Sequence, residues 1–200
     1  MSACPHCNFG LGQSDMKPNR GLIVCPECGE TYSIPWLPFF VITGGGGCGK
    51  TTVAQSLIGH LDSCVIIETD DYGLIRGGFD TNDDFFHYLI FLSMKLSRNG
   101  RPVVLCGWVG PSQILASSRL KFFSAVHILV LTCEADVQTD RLKTRNLTPP
   151  AAEKIEMALR ATQIMKKEVE TYDNVVALDT TQLTQEQTVA EVERWILERL

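Results

Sequence analysis

The sequence predicts an α/β fold in which a parallel sheet of five strands is covered by helices on both faces, preceded by a small metal-binding module. Short apolar runs alternate with helix-like segments from Phe39 onward, and such alternation is typical of parallel sheets. Four of the eight cysteines lie in the first thirty residues, in two Cys-x-x-Cys pairs. A glycine-rich segment follows the first apolar run directly. Together these features indicate two structural units of unequal size.

The five apolar runs are predicted to be buried strands. Each is rich in branched residues and apolar on both faces rather than alternating, as expected for strands of a sheet that is covered on both sides. They are Phe39–Thr43, Val65–Ile67, Val103–Cys106, Val126–Leu131 and Val175–Leu178.

Helices are predicted between these strands, the first of them over Thr51–Leu61. The segment Asp83–Asn99 precedes Gly100, a residue type that commonly ends helices. Its predicted buried stripe consists of Phe85, Leu89, Leu92 and Leu96. The last helix begins with Thr184 and Gln187 at the spacing of a capping box. Its predicted buried face consists of Val189, Val192, Ile196 and Leu200.

The composition is that of a globular protein and argues against charge-driven binding of nucleic acid. Apolar residues make up 44% of the chain and charged residues 20%, which is ordinary for such proteins. The formal net charge is −5, whereas general binding to nucleic acid needs a basic face. A local basic patch is compatible with this charge.

We expect the chain to work in the reducing cytoplasm, without a membrane segment. Its N-terminus has no basic start followed by an apolar stretch, so no signal peptide is predicted. The most apolar window, Ile34–Ile42, is interrupted by Pro35 and Pro38 and is too short to span a bilayer. In a reducing compartment, paired Cys-x-x-Cys motifs indicate metal binding rather than disulfides.

The cysteine pairs have the spacing of a structural zinc site. Cys4 and Cys7 are separated from Cys25 and Cys28 by seventeen residues, within the range of zinc-binding motifs of this type. Four thiolates complete a tetrahedral Zn²⁺ site and leave no open position, so we expect the metal to be structural. Iron is the main competing metal, and a redox pair is the alternative without a metal.

This N-terminal part resembles a zinc ribbon. We predict a ribbon over residues 1–34, a linker over residues 35–38 and a larger domain over residues 39–200. The two prolines of the linker favour a stiff, extended connection.

The segment Gly44-Gly45-Gly46-Gly47-Cys48-Gly49-Lys50-Thr51 matches the phosphate-binding pattern G-x-x-x-x-G-K-[ST] at every defined position. A predicted strand precedes it and a predicted helix follows it, as this motif requires. Glycines allow a tight turn whose N–H groups point at phosphate oxygens, and the start of a helix favours an anion. We expect Lys50 to reach the β- and γ-phosphates and the Thr51 hydroxyl to ligate Mg²⁺.

Two further residues of this segment are expected near the nucleotide. Thr52 follows in the same helix, and Cys48 is interpreted as a permitted residue within the loop. A redox switch at Cys48 is the alternative, and it would require a lowered thiol pKa.

From Phe39 to Leu200 the chain resembles P-loop kinases of the nucleoside-monophosphate-kinase-like group, which includes adenylate, shikimate and gluconate kinases and small antibiotic phosphotransferases. The phosphate loop carries most of the resemblance. Three more segments support it, namely Glu68-Thr69-Asp70-Asp71, Asp140-Arg141-Leu142-Lys143-Thr144-Arg145 and Leu178-Asp179-Thr180-Thr181. The resemblance implies a P-loop NTPase sheet with strand order 2-3-1-4-5, in which nucleotide and acceptor meet at the carboxyl ends of the strands.

The resemblance also implies roles for individual residues. Asp70 or Asp71 would face Mg²⁺ or the acceptor, and one of them would accept the proton of an alcohol acceptor. Arg141 would lie against the adenine, and Arg145 would clamp phosphates. Thr180 lies in the segment that borders the base.

Two further features concern the metal contacts and the acceptor of this chain. The run Val103–Trp108 carries no acidic residue where many members of the group have an aspartate. Metal and water contacts would then fall to Asp70 or Asp71. Arg76 is the best candidate for contact with a phosphorylated acceptor.

These expectations combine into an ATP-dependent kinase of a small acceptor, most simply a nucleotide or nucleoside, with Mg²⁺ as cofactor and Zn²⁺ in the ribbon. One alternative is a nucleic-acid-directed kinase or ATPase, because zinc ribbons often contact nucleic acid. Another is a nucleotide-dependent switch that docks a partner protein through the ribbon. GTP remains open as the nucleotide, although the sequence has no Asn-Lys-x-Asp guanine signature.

Overall fold

The structure, a computed structural model, describes residues 3–10, 21–144 and 151–200. It begins with two short strands, β1 (Leu22–Val24) and β2 (Thr31–Ser33), which form an antiparallel pair. Ile23 of β1 is fully buried and belongs to the same apolar cluster as the core of the rest of the chain. The first unit therefore packs against the second, while the division at residues 35–38 stays a prediction.

A five-stranded parallel sheet forms the centre of the larger part. Its strands are β3 (Phe39–Gly44), β4 (Val65–Glu68), β5 (Val103–Cys106), β6 (Val126–Thr132) and β7 (Val175–Asp179). They lie in the order β4-β5-β3-β6-β7, and each neighbouring pair is parallel. This order confirms the predicted order 2-3-1-4-5, and the predicted strand bounds differ from the observed ones by at most one residue.

Seven helices surround the sheet in the described part of the chain. They are α1 (Lys50–Leu57), α2 (Gly73–Arg76), α3 (Asn82–Ser97), α4 (Pro111–Leu115), α5 (Ala135–Lys143), α6 (Ala151–Thr171) and α7 (Gln185–Leu197). Two 3₁₀ turns, Thr69–Tyr72 and Ser118–Phe122, complete the secondary structure. Among the described residues, no helix combines the length and apolar character needed to cross a bilayer.

The sheet separates two apolar clusters because successive strand residues point to opposite faces. Phe39 and Val41 of β3 join the cluster that includes α3, α4 and α6. Phe40 and Ile42 join the cluster that includes α1 and α7. The centre of the sheet is therefore covered on both faces, as the uniformly apolar strands predict. The edge strand β7 differs from its prediction as a buried strand, because only Val175 is buried in it.

Helix α3 buries only part of the predicted stripe, since Phe85 and Leu89 are buried as predicted. Leu92 and Leu96 are only partly buried, whereas Ser93 and Ser97 are buried. The reason is local: the Ser93 hydroxyl donates to the Leu89 carbonyl at 2.8 Å, and the Ser97 hydroxyl donates to the Met94 carbonyl at 3.0 Å. Because the helix itself satisfies these hydroxyls, burying them costs little.

The ends of two other helices differ from the sequence prediction. Helix α1 ends at Leu57, earlier than Leu61. In α7 the predicted capping box is confirmed, since Thr184 Oγ1 accepts from the Gln187 N–H and Gln187 Oε1 accepts from the Thr184 N–H. Leu200 lies beyond the end of α7 and is 50% exposed, so its predicted place on the buried face is wrong.

The glycine-rich turn after β3 lies directly against α6. A Cβ atom on Gly45 would lie 2.1 Å from Thr162 Oγ1 and 2.6 Å from the Ala158 carbonyl oxygen. Both partners belong to α6, and one of them is backbone, so a side chain at Gly45 requires the helix to move. This close approach determines how the turn sits at the end of the sheet.

We expect Gly45→Ala to lower the free energy of unfolding by about 2 kcal/mol or more, because overpacking at a rigid contact has a cost of that order. Denaturant unfolding of the full chain measures this change. Gly77→Ala is the matched control, since Gly77 has φ −64° and no heavy atom within 4 Å of an added Cβ. Equal stability of the two variants would contradict the packing described for Gly45.

Candidate functional site

The phosphate loop joins β3 to α1 at the carboxyl edge of the sheet. Gly47 and Gly49 have φ angles of 84° and 105°, which side-chain-bearing residues rarely adopt. The Lys50 ammonium group donates to the Gly45 carbonyl at 2.9 Å and so lies over the loop. The conformation therefore has the glycine-dependent turn and the lysine that the motif predicts.

A buried amide supports this loop from behind. Gln138 of α5 is 1% exposed, and its Nε2 donates to the Gly46 carbonyl at 2.7 Å and to Thr162 Oγ1 at 2.9 Å. Its third contact is the Ala158 carbonyl at 3.2 Å. Gln138 thus ties the loop to both α5 and α6, a role that the sequence analysis missed. The available signal was a polar residue on the face of α5 that includes buried Leu142.

The side chain of Cys48 points into the core rather than toward the open side of the loop. It is fully buried, with its sulfur 3.6 Å from Cys133 Sγ and 3.7 Å from Thr162 Oγ1. The hydrogen bond with Cys133 lowers the pKa of Cys48 to about 6, and the cationic Lys50 and Arg141 act in the same direction. Any contact of this residue with phosphate would therefore come from its backbone, and a redox role stays a prediction.

A small cavity opens in front of the loop, and we call it the P-loop cavity. Its lining consists of Gly46, Gly47, Gly49, Lys50, Thr51, Asp70 and Trp108. The 3₁₀ turn after β4 brings Asp70 to this lining, whereas Asp71 does not belong to it; both side chains are exposed. The structure thus brings together Lys50, Thr51 and one of the two candidate aspartates.

Glu68 is a third acidic residue near this cavity, and the sequence analysis gave it no separate role. It ends β4, is 6% exposed and lies beside Cys106 in the sheet register. Burial raises the pKa of Cys106, with the Glu68 carboxylate acting in the same direction and Lys50 in the opposite one. The Glu68 carboxylate and the Lys50 ammonium group therefore both lie close to Cys106, at the end of β5. The signal in the sequence was a carboxylate at the end of an apolar run.

A second cavity lies on the other side of the loop, between α5 and α7, and we call it the α5–α7 cavity. Its lining includes Gly47, Cys48, Thr52, Arg141 and Thr180. Arg141 donates to Thr180 Oγ1 at 3.0 Å and to the Thr180 carbonyl at 2.8 Å. These hydrogen bonds join the end of α5 to the segment after β7. Arg141 and Thr180 therefore lie at the same cavity, as expected if both border one nucleotide.

Two predicted site residues are not placed at these cavities. Arg76 lines neither of them; its guanidinium donates to Asn82 Oδ1 at 2.7 Å and 3.1 Å and lies over the Phe85 ring. Arg145 lies outside the described residues. A contact of either residue with a substrate stays a prediction.

The four N-terminal cysteines form a candidate metal centre. Their sulfur atoms all lie within 4.8 Å of one another. Cys4 Sγ is 3.8 Å from Cys28 Sγ, and Cys7 Sγ is 3.7 Å from Cys25 Sγ. A regular tetrahedron with Zn–S bonds of about 2.3 Å separates its sulfurs by roughly 3.8 Å. The donor set therefore fits a four-thiolate zinc site.

The backbone around these cysteines is arranged in two similar turns. The Cys4 N–H donates to the Phe9 carbonyl at 2.8 Å, and the Cys25 N–H donates to the Glu30 carbonyl at 2.8 Å. Each turn is closed by a residue with positive φ, Asn8 in the first and Gly29 in the second. Two pairs of sulfurs are thus presented toward each other.

We expect the purified full chain to contain one zinc ion per molecule and Cys28→Ser to lose most of it, because four thiolates are needed to complete the site. Elemental analysis after gel filtration measures the metal. Cys64→Ser, which alters a cysteine outside the cluster, should keep its zinc. Iron in place of zinc, or full zinc occupancy of the Cys28→Ser variant, would contradict this assignment.

No protein-family model and no curated protein sequence matches this chain. Solved structures do match it. A sugar kinase from Janibacter sp. HTCC2649 is 18% identical with a TM-score of 0.58, covering 81% of this chain and 95% of its own. The tunicamycin resistance protein of Deinococcus radiodurans is 19% identical with a TM-score of 0.58, covering 80% and 95%. Thymidylate kinase from Candida albicans is 14% identical with a TM-score of 0.56, covering 84% and 93%.

These identities are low, so the similarity concerns the fold. The sheet order and the phosphate loop agree with it. The larger part of the chain therefore has the fold of small P-loop kinases of the nucleoside-monophosphate-kinase-like group, as its motifs imply.

Proposed function

We propose that this protein is an ATP-dependent phosphotransferase that moves the γ-phosphoryl group to a small acceptor, a nucleotide or nucleoside. The observation that carries the proposal is the P-loop cavity, where Lys50, Thr51 and Asp70 line one space at the carboxyl edge of the sheet. Phosphoryl transfer needs mainly positioning and neutralisation of charge. These three residues supply a cation, a hydroxyl and a carboxylate.

The nucleotide would lie across the loop between the two cavities. N–H groups of the loop and the Lys50 ammonium group would hold its β- and γ-phosphates. The Thr51 hydroxyl would hold Mg²⁺, which neutralises phosphate charge when bound. On the other side of the loop, Arg141 and Thr180 would border the base. Arg145 would add a phosphate contact.

Transfer to an alcohol would proceed by attack of the acceptor oxygen on the γ-phosphorus. The new P–O bond forms as the bond to the β–γ bridging oxygen breaks, ADP leaves, and Asp70 accepts the hydroxyl proton. With a phosphate acceptor no base is needed, and Asp70 would serve the Mg²⁺ shell instead. Either chemistry uses the same arrangement of residues around the loop.

We expect acceptor-dependent ADP release from Mg-ATP, reduced about 100-fold or more by Lys50→Ala, because a charge that stabilises the transition state is lost. The acceptor panel holds nucleosides, nucleoside monophosphates, shikimate, gluconate and a 5′-hydroxyl oligonucleotide. Lys167→Ala is the matched control, since Lys167 is an exposed lysine of α6. Equal turnover by wild type and Lys50→Ala would refute the proposal, and stimulation by the oligonucleotide alone would move it to a nucleic-acid kinase.

Asp70 and Asp71 can be separated by the same assay. With an alcohol acceptor, Asp70→Asn should lower kcat about 100-fold through loss of a general base. Asp71→Asn should leave kcat within about threefold of wild type, because the Asp71 side chain does not line the P-loop cavity. Equal losses in both variants would contradict the assignment of the base to Asp70.

A further inference from the structure

A third cavity, between α4 and α6, takes no part in the roles assigned so far. We call it the α4–α6 cavity. It has a volume of about 400 Å³, which falls within the range of small-molecule sites. Apolar side chains cover much of its wall, and three of them are partly exposed although large, namely Trp108, Met157 and Ile164. Exposed apolar groups that converge in a concave space indicate a ligand site.

The α4–α6 cavity borders the P-loop cavity, since Trp108 lines both. The position of this tryptophan is fixed by the strands beside it. Thr43 Oγ1 at the end of β3 donates to the Val109 carbonyl at 2.6 Å, and the Gly107 N–H donates to the Ile42 carbonyl at 3.0 Å. A molecule held in the α4–α6 cavity would therefore lie next to the space that Lys50 and Asp70 line.

A buried carboxylate oxygen lies in the wall of this cavity. Glu168 Oε1 accepts a hydrogen bond from the Ser112 hydroxyl. Glu168 Oε2 is buried and has no hydrogen-bond partner among the described residues. It lies close to Gly110, another residue of the lining, where an added Cβ would be 3.6 Å from it. A buried acceptor without a donor is costly, and a ligand with an N–H or O–H group at this position would remove that cost.

The chemistry of the α4–α6 cavity matches one class of acceptor. The exposed face of Trp108 suits a planar ring, because offset stacking adds to the burial of apolar area. Glu168 Oε2 suits an amino group on that ring, since hydrogen bonds to a carboxylate are stronger than neutral ones. A sugar acid could also pair with Arg160, which belongs to the lining, but a sugar or sugar acid alone offers no flat surface to the tryptophan.

We propose that the α4–α6 cavity is the acceptor subsite and that it selects a nucleoside whose base carries an amino group. The base lies on Trp108 and donates to Glu168 Oε2, while the sugar end points to the P-loop cavity. This assignment rests on the proposed phosphotransferase function and places the acceptor away from Arg76. It makes Glu168 a specificity-determining residue rather than a participant in the transfer step.

The test measures binding without ATP, so that it does not depend on turnover. Isothermal titration calorimetry compares adenosine, guanosine and cytidine with purine riboside, which lacks the amino group, for the full-length chain. We expect at least one amino nucleoside to bind about 10-fold or more tighter than purine riboside, because a charge-assisted hydrogen bond is absent in the latter.

Three variants test which residues cause the preference for an amino nucleoside. Glu168→Ala should remove the preference for the amino nucleoside and leave binding of purine riboside nearly unchanged. Trp108→Ala should weaken both ligands about equally. Glu170→Gln is the control for a change at an exposed glutamate of the same helix, and it should bind like wild type. Thermal unfolding of each variant verifies that it is folded.

The outcomes separate this inference from the proposed function. Binding of shikimate or gluconate but of no nucleoside, binding of no ligand, or an unchanged preference in Glu168→Ala would overturn the acceptor assignment. Phosphoryl transfer with a KM for the acceptor that is insensitive to Glu168→Ala would also overturn it while supporting the kinase. Glu168-dependent binding of an amino nucleoside without any transfer would support the subsite and count against the kinase.

Discussion

The close contact between the phosphate loop and α6 is the constraint on which the site depends. A loop that gives its N–H groups to phosphate must satisfy its carbonyl groups elsewhere. Here Lys50 donates to the Gly45 carbonyl and Gln138 to the Gly46 carbonyl. Thr162 accepts from the same amide. The loop is thereby held in shape by side chains of α1, α5 and α6 before any ligand arrives, which reduces the ordering that binding requires.

The local sequence pattern was sufficient to predict the strands but not to predict all residues of the site. Runs that are apolar throughout are expected for strands of a covered sheet, and the strand bounds were predicted within one residue, although the edge strand β7 is largely exposed. Part of the buried face of α3 was missed because Ser93 and Ser97 satisfy their hydroxyls within the helix. A polar residue on the buried face of α5 was a signal for Gln138. The contacts of Gln138 and Glu168, however, depend on how α5 and α6 pack in three dimensions, which no local sequence pattern shows.

The four-cysteine cluster and the core are expected to share the stabilisation of the N-terminal unit. Its two strands have three residues each, too few to bury a core of their own. Ile23 is the fully buried aliphatic side chain of this pair, and it belongs to the cluster of the larger part. A four-thiolate zinc site would supply the remaining stabilisation. The unit is thus expected to depend on both a metal and the larger part of the chain.

Helix α6 presents two adjacent stripes, one to the phosphate loop and one to the α4–α6 cavity. Ala158 and Thr162 lie against the phosphate loop, while Met157, Ala161, Ile164 and Glu168 line the α4–α6 cavity. Met165 lies between the two stripes, since it contacts Thr43 at the end of β3 and also lines the cavity. Neighbouring stripes of one rigid helix cannot shift independently. A rotation or slide of α6 that reshapes the α4–α6 cavity must also displace the phosphate loop. A substitution on this helix can therefore change ligand preference without disturbing the loop only if it leaves the helix axis in place.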